Sequence, residues 1–599
     1  MLSAKDTSMS AAEIPRTTAL NGNNHSAYHH GFPRLDRHHD SRAEAEVAGV
    51  NINTPSREFH GQTSSMAFLA ALNSDTNSPD MPQPRRENGT LVSTFYNGAF
   101  MPAIPKTTPD EDALLRADNF YFKYSALFLE SHFQNIHFVH PILDKATFMS
   151  NCEDLWFGRS DQQSRSFVAL YYSIMSLGAL VRSWDDDETI DGKDRLHWSR
   201  KLFDLACIAL VPSRMNADLE TIQTCLFLAK VCQNLMNPSL AYIHLGLATR
   251  LSFAAGINRQ PRSDEAFSSH AKDMAAQRTW WALYALEVEL SFALGRPDSL
   301  GPDQYHNVEL PQEDTTEIAI IPALIYFARI IRKVCTSIYL SNEPLDIKVD
   351  EALRIEKDLD HWIAHLPDSL RPSIDPSQPS SKITKESRRS KLQRLVLSLR
   401  YYNVKMILFR PFLGREVGTT QRLSPVLSAI VHRCVDAGRV TITHMHDVFI
   451  NQPFFRNWWN NTTYVMYAAS TVLWYTVNTA SAIEIPALLD LADKAIDILE
   501  AMDESVVAQK ARRLIEEVVS KAREKLSADA HSSHDHHHQS ALALPSLNVT
   551  ESLDCPQEAG AAGDISLQGM DLNLDFLDMT FPMDEMQSAF WTDDSSQLI

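Results

Sequence analysis

The sequence predicts an all-α protein: one large multi-helix regulatory domain flanked by disordered N- and C-terminal segments. Three observations carry that expectation. Apolar residues recur at helical spacing from about residue 112 to residue 526, no series of period-two hairpins interrupts them, and glycine is scarce, at 19 in 599 residues. Nucleotide-binding folds spend glycine on tight turns and close backbone approach. This chain contains no G-x-G-x-x-G, Walker A loop, G-x-S-x-G elbow or H-E-x-x-H. The pattern therefore argues against the enzyme classes built on those loops.

Residues 1–110 are rich in Ser, Asn, His and Pro and show no sustained periodicity, so disorder is expected there. His29, His30, His38 and His39 fit a solvated polar tract better than a metal site. The opening MLSAKDTSMS lacks the apolar core of a signal peptide.

Residues 111–526 form the expected helical domain. In DLETIQTCLFLAK, Leu219, Ile222, Leu226 and Ala229 approximate the i, i+3, i+4, i+7 rule. In QRTWWALYALEVELSFALG, Trp280, Leu283, Tyr284, Val288 and Phe292 trace one helical face. Breakers fall between such runs: Pro212, Pro238, Gly256 to Pro261, Gly295 to Pro297, and a Pro/Ser stretch at 367–381. Gly256 in FAAGINR is placed to take a left-handed helix cap. Trp280 and Trp281 stand about 100° apart on a helix, so burying both requires helices on two sides. Arg278, Glu287 and Arg296 are then candidates for a buried ion-pair network tying this helix to the Gly295-Arg296-Pro297 loop, with an effector pocket as the rival role.

The stretch Tyr464 to Leu489 is apolar but interrupted by Ser470, Asn478, Ser481 and Glu484. A buried helix accounts for it better than a membrane span, and no membrane partner is expected. Lys382, Lys385, Arg388, Arg389, Lys391 and Arg394 follow the Pro/Ser stretch. They suit a nuclear-import signal or a solvated helix start. Cys152, Cys207, Cys225, Cys232, Cys335, Cys434 and Cys555 are scattered without a C-x-x-C pair, which fits reduced, buried thiols.

Residues 527–563 form an expected low-complexity linker containing the run HSSHDHHH, and residues 564–599 an acidic-hydrophobic segment. The net charge is −20, yet no Lys or Arg follows Lys525, while residues 526–599 hold thirteen Asp and Glu. This tail thus supplies −13 of the −20. If it becomes helical, Leu567, Met570, Leu574, Leu577 and Phe581 line one stripe. Asp571, Asp575 and Asp578 repel along the neighbouring one. A basic-rimmed apolar groove on a coactivator would relieve both penalties through coupled folding and binding. Phe576, Leu577, Phe581, Phe590 and Trp591 are the expected contacts. Docking of the stripe onto the chain's own helices is the alternative.

Several segments together resemble the fungal-specific transcription factor domain, the middle homology region of zinc-cluster transcription factors. They are FQNIHFVHPILDKATF at Phe133 to Phe148, AYIHLGLATRLSFAAGINR at Ala241 to Arg259, and VKMILFRPFL with Arg410, Pro411 and Phe412. The most specific is QRTWWALYALEVELSFALGRPDSLGPDQYHNVELPQ. It carries Arg278, Trp280, Trp281, Tyr284, Glu287, Gly295, Arg296 and Pro297, and ends on Leu310-Pro311. The family usually has Asp at the place of Glu287. The resemblance spans about 110–480 and implies a non-enzymatic nuclear regulator of transcription. It also implies coactivator or other transcription-machinery partners, homo- or heterodimerisation, and no cofactor.

Family members carry six closely spaced cysteines that hold two zinc ions and place a helix on DNA. Here no cysteine precedes Cys152. DNA contact is therefore expected indirectly, through a partner or a segment outside this sequence. A corepressor or adaptor is the alternative regulator. A metal-dependent enzyme using His132, His137 and His140, or His444, His446 and Asp447, is the alternative from another class.

Overall fold

A computed structural model describes residues 46–74, residue 93 and residues 122–539, apart from short gaps at 52–55, 158–163, 183–187, 214–215, 261–269, 312–318, 373–386, 416–424, 452–457, 459–460, 479, 482 and 503–504. Among the described residues the protein is all-α save for one short hairpin, β1 (Val47–Asn51) antiparallel to β2 (Ser56–His60), with Val47 opposite His60 and Asn51 opposite Ser56. The helices are α1 (Ser65–Ser74), α2 (Phe122–Asn135), α3 (Lys145–Trp156), α4 (Arg165–Val181), α5 (Arg195–Leu210), α6 (Leu219–Asn234) and α7 (Pro238–Ala255). They continue as α8 (His270–Leu294), α9 (Ile320–Val334), α10 (Leu345–Ala364), α11 (Arg388–Phe409), α12 (Pro425–Asn451), α13 (Asn461–Asn478), α14 (Ile485–Glu500) and α15 (Val506–Gln539).

Local chemistry sets several of the helix starts. Asp144, Asp194 and Asp218 each accept the backbone N–H three residues on, at 2.8 Å. Asn237 does the same for Leu240 and is followed by Pro238, whose fixed φ suits a first helical turn. Gly256 ends α7 at φ 72°, the left-handed cap expected for it.

Consecutive helices pack as neighbours. In the first half, α4 lies against α2, α5 and α6, α6 against α7, and α7 against α8. In the second half, α11, α12, α13, α14 and α15 pack in succession. Helix α4 is buried on every side from Ser166 to Val181, which only a multi-layer bundle permits. Gly178 lets α4 meet α2 almost backbone to backbone, because a Cβ there would sit 2.0 Å from the Phe128 carbonyl oxygen. The apolar stretch expected as one buried helix is α13, which stops at Asn478 before α14 begins. Among the described residues no helix is long and apolar enough to cross a membrane.

Two segments depart from the expected flanks. Within residues 1–110, β1, β2 and α1 are structured, and Val47, Met66, Ala67 and Leu69 join the main core. A five-residue strand or a single short helix carries too few apolar positions to register as periodicity. At the other end, α15 runs through residues 527–539 of the expected linker, because the stretch before Pro545 contains neither proline nor glycine to break it. The tail residues Phe576, Leu577, Phe581, Phe590 and Trp591 lie outside the described residues.

Candidate functional site: a signature loop beside a charged internal cavity

Helix α8 is central to the geometry. Trp280 and Trp281 are both buried, as their adjacency demands. The Trp280 ring lies 4.8 Å from His306 and 5.7 Å from Phe253, while Trp281 Nε1 donates to the Glu309 carbonyl at 2.8 Å. The chain after α8 folds back over it. Tyr284 donates to Asp303 at 2.9 Å, and Arg332 of α9 bonds Asp303 at 2.6 Å and Asp298 at 3.1 Å. Leu300 to Leu310 are thereby held over the tryptophan face.

Two of the expected network residues, Glu287 and Arg296, bond to other groups rather than to each other. Glu287 accepts from the Ser299 backbone N–H at 2.9 Å and its hydroxyl at 2.5 Å. Burial pushes its carboxyl pKa up, and the Ser299 bonds only partly offset that. Arg296 donates to the Phe59 carbonyl at 2.8 Å and the Ser239 hydroxyl at 3.1 Å, and lies 5.1 Å over the Tyr242 ring. Tyr242 in turn donates to the Pro297 carbonyl. The loop is thus tied down by carbonyls, hydroxyls and an aromatic face, because Arg296 points to β2 and α7 and Glu287 to its own following turn.

Gly295 adopts φ 65°, and Gly61 crosses it so closely that a Cβ on Gly61 would stand 1.9 Å from the Gly295 oxygen. Gly61 N–H donates to the Leu294 carbonyl at 3.0 Å, and Thr63 Oγ1 donates to the Phe292 carbonyl at 2.6 Å. Both glycines are required by that approach. Glu58 sits beside the crossing. Burial raises its pKa, but bonds from His60, Ser239 and Asn51 outweigh burial and hold the carboxyl below its usual value.

The charged interior lies deeper, where α6, α8, α11, α13 and the turn after α2 converge. A space of about 50 Å³ there is lined by His140, Lys230, Gln233, Glu289, Arg400 and Tyr464 together with apolar side chains such as Val139 and Leu399. An apolar chamber of about 120 Å³ shares Gln233, Glu289, Arg400 and Tyr464 with it and adds Met66, Leu290, Phe292 and Val404 among others. Arg400 grips Glu289 through Nε at 3.1 Å and Nη2 at 2.9 Å. Its third nitrogen, Nη1, is buried without a hydrogen-bond partner among the described residues. Lys230 Nζ donates to the neutral Gln233 Oε1 at 2.8 Å. Burial, then the Arg400 charge, lowers the Lys230 pKa to about 8. Burial, followed by the Lys230 and Arg400 charges, keeps His140 well below the usual histidine value.

Of these cavity residues only His140 is a candidate from sequence, and there as a metal ligand. A signal existed: Lys230 interrupts the apolar run LFLAKVC, and Arg400 sits in LVLSLRYYN, each a charge on a helix that is otherwise interior. Of the other histidines considered as metal ligands, two lie away from the cavity. His132 is buried edge-on to Phe133 and Phe227, and His446 pairs with Asp497 at 3.5 Å. Among the described residues no group of three or more His, Cys, Asp and Glu is placed to hold a metal ion. Of the basic cluster, Arg388 bonds Asn135 at 2.8 Å, and Arg389 lies 5.7 Å over the Phe138 ring at the start of α11.

A layered stack of helices packed around a charged cavity defines the class: a large all-α domain. Residues 129–364 match the fungal specific transcription factor domain. Among the curated relatives, "Activator of stress genes 1" from Saccharomyces cerevisiae is 23% identical over 60% of this chain and 39% of its own length. "Transcription factor FBD3" from Gibberella moniliformis is 23% identical over 58% of this chain and 49% of its own length. The "Terreic acid cluster-specific transcription factor atF" from Aspergillus terreus is 23% identical over 71% of each chain. The chain spans less than half the length of the first two.

Proposed function

We propose that this protein regulates transcription in the nucleus, most simply as an activator of a fungal gene set for nutrient use or a secondary-metabolite cluster. The observation that carries the regulatory reading is the domain match over residues 129–364. It falls on the same bundle whose Trp280, Trp281, Gly295, Arg296 and Pro297 build the loop over α8. Of the relatives named above, two are transcription factors by name and the third is an activator of stress genes, which supports the same role.

In this reading the helical domain is the regulatory body and residues 564–599 are the working surface. Phe576, Leu577, Phe581, Phe590 and Trp591 contact a coactivator or other transcription machinery, kept hydrated in its absence by the interleaved acids. DNA is reached through a partner, a homo- or heterodimer, or a segment outside this sequence. The test is a fusion of residues 560–599 to a heterologous DNA-binding domain on a reporter. Activation is expected, and it should fall at least about fivefold when the five residues become Ala, in line with the loss of an aromatic anchor cluster. A silent fusion, or one indifferent to those substitutions, rejects the activation surface. A reporter repressed below baseline assigns the corepressor role instead.

A further inference from the structure

The charged cavity is electrically unfinished. Two cations, Lys230 and Arg400, face one carboxylate, Glu289, in a space closed by His140, Gln233 and Tyr464. Glu289 is already engaged by Arg400 Nε and Nη2 and accepts from Tyr464 at 3.3 Å. Among the described residues Lys230 Nζ donates to a neutral amide with only the Glu289 charge acting in its favour, and Arg400 Nη1 has no hydrogen-bond acceptor, although, against the effect of burial, Glu289 and Tyr464 together raise the Arg400 pKa. Both side chains are more than nine-tenths buried. A buried cation without a full counter-charge is costly, and the cost is relieved by releasing the proton, the direction in which burial moves Lys230, or by taking in an anion.

The adjoining chamber says what kind. Its walls are Met66, Met236, Leu290, Phe292, Ile331 and Val404 among others, so the guest must carry hydrocarbon as well as charge. At its far side Thr63 is already bonded to the Phe292 carbonyl and His60 stands beside Glu58, so no second charged anchor waits there. A dry apolar cavity of about 150 Å³ is large enough for benzene. A chamber of about 120 Å³ therefore suits a hydrocarbon part of roughly five or six carbons.

We propose that this cavity binds a small amphipathic monocarboxylate, its carboxylate between Lys230 and Arg400 Nη1 and its hydrocarbon part in the chamber lined by Met66, Leu290, Phe292 and Val404. The guest makes two charge-assisted hydrogen bonds and brings the cavity to neutrality. Because it touches α6, α8 and α11 at once, its presence changes how those helices are held together. The groups facing Lys230 are Arg400, Glu289, His140 and Tyr464. Over the range pH 7 to 9 Lys230 is the one that loses its charge, so binding weakens roughly tenfold across that range.

The experiment is isothermal titration and thermal shift of the purified full-length chain with hexanoate, hexan-1-ol and acetate. It reads binding alone, so its outcome is independent of the reporter result. Hexanoate should bind at least about tenfold more tightly than either hexan-1-ol, which lacks the charge, or acetate, which lacks the chain. Lys230→Met removes the charge at similar length, and should lose hexanoate affinity at least about tenfold while keeping an equal or higher melting temperature. Val404→Phe fills the chamber and should lose hexanoate binding with the polar end intact, which preserves the test if Lys230→Met fails to fold. Equal affinity for hexanoate and hexan-1-ol, undiminished hexanoate binding in either variant, or no response to millimolar hexanoate overturns the proposal.

Discussion

His132 lies edge-on against Phe133 and Phe227, with neither ring nitrogen hydrogen-bonded among the described residues, and His140 lies beside Lys230 and Arg400. Burial holds both well below the usual histidine pKa, and the neighbouring positive charges push the same way. The folded state keeps them neutral, whereas the unfolded chain takes up their protons below about pH 6.5. Their stability contribution is therefore complete above that pH and is lost as pH falls, by up to about 1.4 kcal/mol per pH unit for each. Denaturant unfolding between pH 7 and pH 5 should show this decline, and His132→Leu should reduce its slope by one proton. Lys230 works in another window. Its folded pKa of about 8 lies below the unfolded value near 10.4, so its burial penalty is present at neutral pH and relieved as pH rises through that interval. Gly178 is the steric counterpart of these electrostatic constraints. Gly178→Ala drives a Cβ into the Phe128 carbonyl and must push α2 from α4, costing about 2 kcal/mol or more in a thermal or denaturant measurement.

At the scale of elements, the segment from β1 to α1 acts as a strap. Arg410, just after α11, donates to the Thr63 carbonyl at 3.0 Å and the Ser64 carbonyl at 3.3 Å, and lies 4.6 Å over the Phe68 ring. The strap also closes one wall of the chamber through Met66 and Ser65. Deleting residues 46–74 should lower the melting temperature by several degrees, since it uncovers Met66 contacts and leaves the buried Arg410 guanidinium unsatisfied. A melting curve unmoved by the deletion would show the strap to be dispensable. The sequence reading missed this element for a physical reason. Its apolar residues are few, and its worth lies in backbone contacts with Gly295 and Arg410 that leave no local pattern. The helices were legible because each buries a face of its own, and the Trp280–Trp281 pair announced the layering by geometry alone. Arg296 and Glu287 were legible as buried charges but not in their partners, because β2 and Ser299 could not be placed beside them without the fold.

On the scale of the molecule, the same contrast explains why the bundle could be read and the cavity could not. Lys230, Glu289, Arg400 and Tyr464 come from α6, α8, α11 and α13, and only the packing of those four helices brings them together. Charge, by comparison, is additive and local, so the concentration of thirteen acids after Lys525 is visible without any structure.

The strap also imposes a timetable on biosynthesis. Thr63 is separated from its Arg410 partner by 347 residues, which at about 5–20 residues per second is roughly twenty to seventy seconds of elongation. The α8 side of the strap's seat, at Phe292 to Gly295, emerges earlier, but the Arg410 clamp on Thr63, Ser64 and Phe68 is missing for the whole interval, which leaves the strap half-seated. Nascent chains arrested at residue 400 should therefore be cleaved by protease within 61–74 faster than chains arrested after the tunnel has released residue 415.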